Sequence, residues 1–312
     1  MLEGLRWIGR NARVLIALAP LLAISLADLA ALLRPALPVL VALTYAVAIA
    51  RVDMGELLQA AARPRAVLMI GVCILALMIA LPAALFYAAN ALSLSDEAAR
   101  ALVYTSIAPP IASAAAVCFL LGADAGLALR LSVIAAFASP LIGPWLAATL
   151  FGEALSVDPV VLSLRLAAMI GAGAVLGMLL RRILTPRRIA ADPAAFDGLA
   201  AIVMIVFAIP LFDGIGPMIA GDPMGALGVF GLVMAANSGL QVVSLIVLAR
   251  LMRPETAVAI ALSVGSRNGG LYLASLPASP YFSLFVALYQ VPIYLTAVLM
   301  RLAANRFAPG LR

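Results

Sequence analysis

Long apolar runs, separated by short polar stretches, recur from one end of the chain to the other. The pattern marks ten segments: residues 14–33, 35–50, 66–90, 99–121, 126–150, 159–181, 195–219, 224–249, 254–276 and 279–303. A helix rises about 1.5 Å per residue, so about 20 apolar residues cross the hydrocarbon core of a bilayer. The expected fold is an all-α integral membrane protein with ten transmembrane helices. Composition agrees, since 66% of the 312 residues are hydrophobic and 11% charged, where a soluble domain is about half apolar and a quarter charged. A water-soluble globule of this composition would expose large apolar patches, and a disordered chain would be far more polar. The basic stretch 1–13 leads into an apolar run too long for a secretion signal, and reads as a retained first span.

Charge then gives an orientation. The net charge is +6, and all 20 Lys+Arg residues are arginine. Arg6, Arg10 and Arg13 precede the first segment; Arg51, Arg63 and Arg65 follow the second; Arg181, Arg182, Arg187 and Arg188 follow the sixth. Arg250 and Arg253 follow the eighth, and Arg301, Arg306 and Arg312 close the chain. Ten alternating crossings put all of these on one side and leave Arg34 and Arg100 on the other. The positive-inside rule places both termini in the cytoplasm; the expected location is a bacterial inner membrane. Arginines placed this way read as membrane topology, so the expected surroundings are a lipid bilayer and no nucleic-acid partner. With no histidine in the chain, a His-based general base, a Ser-His-Asp triad and a His metal site are excluded. Cys73 and Cys118 lie inside apolar segments and read as small buried hydrophobes. No enzyme activity, cofactor or metal is expected.

The ten segments divide five and five about the acidic loop 152–158. Five crossings reverse the side of entry, so the halves, about 14–150 and 159–303, have the arithmetic of an inverted repeat common in secondary transporters. The fourth segment contains Ser106-Ile107-Ala108-Pro109-Pro110-Ile111-Ala112-Ser113. Its proline pair removes two backbone donors, and the freed carbonyls must find partners or line a cavity. A kinked structural helix is the alternative. The ninth segment reads Leu262-Ser263-Val264-Gly265-Ser266-Arg267-Asn268-Gly269-Gly270-Leu271. An arginine in mid-span costs about 3 kcal/mol on insertion scales and keeps its charge, so it must face a partner or a wet cavity. The glycines permit an unwound turn. Two broken helices present positive N-terminal ends, which together with a guanidinium make a site for an anion. The alternative is an internal pair between Arg267 and Asp28 or Asp213.

These two segments carry a resemblance. The chain is similar to the bile acid:sodium symporter family, of the wider bile/arsenite/riboflavin transporter superfamily. The family pattern Glu-x-Gly-x-Gln-Asn-(Ser/Gly)-Gly-Leu stands here as Ser263 to Leu271, and Pro-Gly-Gly-Thr-Ala-Ser-Asn is loosely matched by Ala108 to Ala114. Pro82 in the third segment and Ser139-Pro140 in the fifth are further echoes. The resemblance implies broken helices 4 and 9 that cross, a core of helices 3–5 and 8–10, and a panel of helices 1–2 and 6–7. It also implies sodium ligands, but those positions hold Ser263, Arg267 and Ala114, with Leu77 and Ile134 or Ala135 near two others. Sodium requires hard oxygen donors; a guanidinium has none and repels the ion. Arg267 is therefore expected to stand in place of the bound cation.

The expected function is secondary transport of a small organic anion by alternating access, without sodium coupling. A sodium symporter with relocated ligands, and a non-transporting receptor or scaffold of the same fold, are the alternatives. The expected substrate-binding residues are Arg267, Asn268, Ser113, Ser263, Ser266, Pro109, Pro110 and Gly269. Asp28 and Asp213 are the carboxylates for a proton-coupled variant. Asn237, Ser238 and Gln241 in the eighth segment read as packing residues, with lining of the cavity as the alternative.

Overall fold

A computed structural model describes residues 2–52, 55, 63–152, 157–185, 189 and 191–308, and of Arg13 the backbone alone. Arg187, Arg188, Arg312 and most of the loop between the halves lie outside the described residues. The described residues form helices and no strand. In chain order these are α1 (Leu2–Arg10), α2 (Ala12–Ser25), α3 (Ala27–Leu33), α4 (Leu37–Ala50), α5 (Pro64–Leu75) and α6 (Leu81–Ala91). Next come α7 (Asp96–Ile107), α8 (Ser113–Leu120), α9 (Ala125–Phe151), α10 (Pro159–Leu184), α11 (Pro193–Ala208) and α12 (Ile215–Gly221). The last are α13 (Pro223–Met234), α14 (Leu240–Leu248), α15 (Pro254–Gly265), α16 (Gly269–Leu273) and α17 (Pro280–Phe307). Single π-turns, Ala76–Ala80 and Ala235–Gly239, join α5 to α6 and α13 to α14.

Among the described residues, seven helical stretches are long and apolar enough to cross a membrane: Ala27–Ala50, Pro64–Ala91, Ala125–Phe151, Pro159–Leu184, Pro193–Phe212, Pro223–Leu248 and Pro280–Phe307. The chain is an all-helical membrane protein on that count. Local chemistry explains where the helices begin. Proline opens α5, α10, α11, α13, α15 and α17, at a position whose N–H has no helical partner. Side-chain oxygens of Ser95, Asp124, Asp192, Asp222 and Ser279 accept the amide three residues on, which satisfies donors that a helix start leaves open.

Two expected boundaries move. The sequence divides segments 1 and 2 at Arg34-Pro35, yet the chain breaks at Leu26 and Ala27–Ala50 forms one span. Pro35 lies in a 3-10 turn (Arg34–Ala36), and Pro38 in the first turn of α4, where a missing N–H removes no helical bond. Segment 7 ends early, at Phe212, because Gly214 takes a positive φ of +72° and starts a separate short helix.

By internal packing the chain forms two compact units. One comprises residues 1–52 and 167–226, the other 53–166 and 227–312. Within the first, α1, α2 and α4 pack against α11. Within the second, an apolar cluster including Ile74, Leu77, Met78, Leu131, Val258 and Leu262 surrounds the broken segments.

Candidate functional site

The site lies within the second unit, where two helices are interrupted. The fourth segment is α7, a break over 108–112, and α8; the ninth is α15, a break over 266–268, and α16. The proline pair dictates the first break. A residue before proline is pushed out of the helical region, and Ala108 accordingly has φ −57° and ψ 143°. The two breaks run antiparallel and bond to each other. Asn268 N–H donates to the Pro109 carbonyl at 2.9 Å, Ile111 N–H donates to the Ser266 carbonyl at 2.9 Å, and Pro110 faces Arg267 as an isolated bridge. Backbone groups that would be orphaned in an apolar interior are satisfied in this way.

Arg267 is 1% exposed, the largest fully buried side chain among the described residues. Its Nε donates to the Val264 carbonyl at 2.8 Å, Nη1 to the Ala108 carbonyl at 3.2 Å, and Nη2 to the Leu77 carbonyl at 3.1 Å. Those acceptors come from the end of α15, the break after α7, and the π-turn between α5 and α6. The C-terminal ends of α7 and α15 carry partial negative charge, and a guanidinium among their carbonyls meets it. The guanidinium's hydrogen-bond partners within its own unit are carbonyls; Asp28 and Asp213, the carboxylates of the alternative reading, belong to the other unit. Asp28 is exposed in the first turn of α3, and Asp213 is half-buried beside Gly214.

Around this cation a second layer of bonds locks the end of α15. The Gly265 carbonyl accepts from Asn237 Nδ2 at 2.8 Å and from the Tyr289 hydroxyl. Gln241 Nε2 donates to Asn237 Oδ1 at 3.1 Å and to Ser266 Oγ at 3.3 Å. A Cβ at Gly265 would stand 2.3 Å from the Asn237 carbonyl oxygen and 2.6 Å from Gln241 Cγ, so only glycine allows this approach. Asn237 and Gln241 are 0% and 1% exposed; polar residues inside an apolar run were the signal for them, and the bonds show that their packing role is at the site itself. Leu77 and Tyr289 were not singled out for their polar groups.

The expected binding residues divide. Pro109, Pro110, Ser266, Arg267 and Gly269 are buried at the crossing, and Asn268 and Ser113 are half-buried there. Ser263 is tied to its own helix, its hydroxyl donating to the Ala259 carbonyl at 2.8 Å. A cavity of about 10 Å³ adjoins Arg267 and is lined by Thr105, Ser106, Val264 and Tyr289 among others, room for about one water. The Thr105 hydroxyl, 2% exposed, has no hydrogen-bond partner among the described residues. No protein-family model and no curated protein matches the chain.

Proposed function

We propose that the chain is a secondary transporter of a small organic anion, working by alternating access without sodium, with Arg267 as a built-in cation. One observation carries this reading: the guanidinium takes three backbone carbonyls contributed by two helix breaks and a π-turn. Converging carbonyl oxygens at two helix C-termini are how a hard cation is held, and here a covalently attached charge does it. The anion is then held by Arg267, Asn268 and Ser113, at the start of α8, where helix polarity favours negative charge. The family resemblance, ten crossings and a 5+5 inverted repeat belong to the same proposal. They are supported by the like order of features in the two halves, a helix with a π-turn followed by a broken helix. The arginine distribution supports cytoplasmic termini, and a bacterial inner membrane belongs to the same proposal.

A second reading, a receptor or scaffold without transport, is favoured by one observation. The cavity beside Arg267, about 10 Å³, has room for about one water and not for an organic anion. Transport requires this cavity to open; a scaffold does not.

The test is ligand-induced melting of the purified protein in choline chloride. The panel is bile salts, 2-oxoacids, pantoate and sulfated steroids, followed by uptake of any hit into proteoliposomes. A melting shift with sodium-free uptake supports the transporter. Absence of both across the panel favours the scaffold.

A further inference from the structure

The first helix has a three-sided surface that the transport reading leaves unused. At about 100° per residue, Glu3, Arg6 and Arg10 share one side of α1, Leu5 and Gly9 a second, and Gly4, Trp7 and Ile8 a third. The second side is seated on α11. A Cβ at Gly9 would lie 1.9 Å from the Ala194 carbonyl oxygen, and one at Gly198 would lie 2.0 Å from the Leu5 carbonyl oxygen. The two backbones therefore touch, and glycine at both positions is required. Arg6 Nε fixes the contact through a 2.8 Å bond to Asp192 Oδ2. On the third side the largest residue, Trp7, is 56% exposed.

Two facts give the depth and attitude of this helix. Ala194 and Gly198 lie in the first two turns of Pro193–Phe212, a stretch long and apolar enough to cross a membrane, so α1 is seated within about 10 Å of the start of that stretch. The chain also turns by 92° between Leu2–Arg10 and Val14–Ser25. Beyond the turn, Val14, Leu18, Leu21 and Leu22 form an exposed apolar stripe at helical spacing along α2. An exposed apolar stripe of this kind suits acyl chains, and the chain turns by 92° between it and α1.

The same end of the unit is basic. Arg51 pairs with Asp197 of α11, and Arg181 donates to the Val52 carbonyl. Asp192 and Asp197 are thereby engaged by Arg6 and Arg51, which leaves the positive charges of Arg10, Arg181 and Arg182 without a carboxylate among the described residues.

We propose that α1 is an interfacial helix that lies in the headgroup layer of an anionic bilayer. Gly4, Trp7 and Ile8 turn toward the acyl chains, and Arg10 with the neighbouring arginines meets lipid phosphates. An amphipathic helix with a basic polar side and an aromatic at its edge is suited to that layer, and the arginines give a preference for negatively charged lipid.

Trp7 reports on this directly, because the chain has only 2 tryptophans. The other, Trp145, is 54% exposed on α9, so Trp145→Phe leaves Trp7 as the single emitter with little effect on the fold. The full-length variant is reconstituted in phosphatidylcholine and in phosphatidylglycerol vesicles. Each carries brominated lipids with bromine near the carbonyl end or near the chain terminus. Blue-shifted emission, quenched most by bromine near the carbonyl end and more strongly in phosphatidylglycerol, is the expected result. Water-like emission open to acrylamide and untouched by either bromolipid overturns the proposal. Strongest quenching from the chain terminus overturns it as well, because α1 would then lie inside the bilayer. Equal quenching in the two vesicle types overturns the anionic-lipid part. None of these outcomes depends on whether the protein transports an anion.

Discussion

Asn268 and Pro109, far apart in sequence, are joined by a 2.9 Å hydrogen bond from amide to carbonyl. The reciprocal bond from Ile111 to Ser266 closes a short antiparallel ladder between two broken helices. Nothing but backbone is used, so the ladder leaves side chains at the crossing available. Arg267, opposite Pro110, uses that freedom to turn its guanidinium back onto the helix ends.

Replacing Arg267 with Ala removes three charge-assisted bonds and strands the carbonyls of Leu77, Ala108 and Val264. The expected loss of stability is about 3 kcal/mol or more, read by denaturant or thermal unfolding in detergent. Arg267→Lys keeps the charge but not the planar fork, so it recovers only part of that loss. A variant lacking the guanidinium yet as stable as the parent would show that these bonds contribute nothing.

Gly265→Ala forces a methyl group to within 2.3 Å of the Asn237 carbonyl. Overpacking of this kind costs about 1–3 kcal/mol, and the contact here is backbone, which yields least. Gly231→Ala is the control, because a Cβ there meets nothing within 4 Å; it should be neutral or slightly stabilising. Comparable melting temperatures for the two variants would contradict the packing described around Gly265.

Ser263→Ala should leave ligand binding unchanged and cost no more than about 1 kcal/mol. Its hydroxyl is spent on the Ala259 carbonyl of its own helix. A large loss of ligand-induced melting shift in this variant would place the hydroxyl at the substrate after all.

The Arg6–Asp192 contact makes the seat of α1 sensitive to acid. The Asp192 carboxyl is held below its ordinary value of 3.8, first by the hydrogen bond from Arg6 and then by the Ala195 amide. A depressed carboxylate contributes stability above its unfolded value, and the contribution is lost as pH falls through the lower folded value. Protection of α1 amides against deuterium exchange, taken relative to the intrinsic rate at each pH, should therefore fall only below the ordinary carboxylate range. Asp192→Asn keeps an N-cap acceptor and should flatten that dependence. An unchanged acid response in Asp192→Asn would assign it to other groups.

Both breaks, and the apolar segments apart from the first two and the end of the seventh, were legible in the sequence, because prolines, glycines and an arginine inside hydrophobic runs have few physical explanations. The arginine's partners were not. Leu77, Ala108 and Val264 act through backbone carbonyls, and no side chain announces such an acceptor. The π-turn that offers Leu77 spans Ala76–Ala80, a stretch of alanine, leucine, methionine and isoleucine that looks like any helix. Leu26 breaks the first segment although neither proline nor glycine is adjacent, whereas Pro35 and Pro38 do not break the span they sit in. Proline reads as a breaker only when its position in the turn is known. Asn237 and Gln241 were visible as polar residues in an apolar segment; that they secure Gly265 and Ser266 follows only from three-dimensional contact.

The central claim is that a covalently attached guanidinium occupies the place of a bound cation. It is tested most directly by melting the ligand-free protein in sodium chloride and in choline chloride at equal ionic strength. The account predicts the same melting temperature in both salts, since Arg267 already satisfies the carbonyls that an ion would need. A higher melting temperature in sodium would contradict it, because an ion that binds the folded state alone must stabilise it.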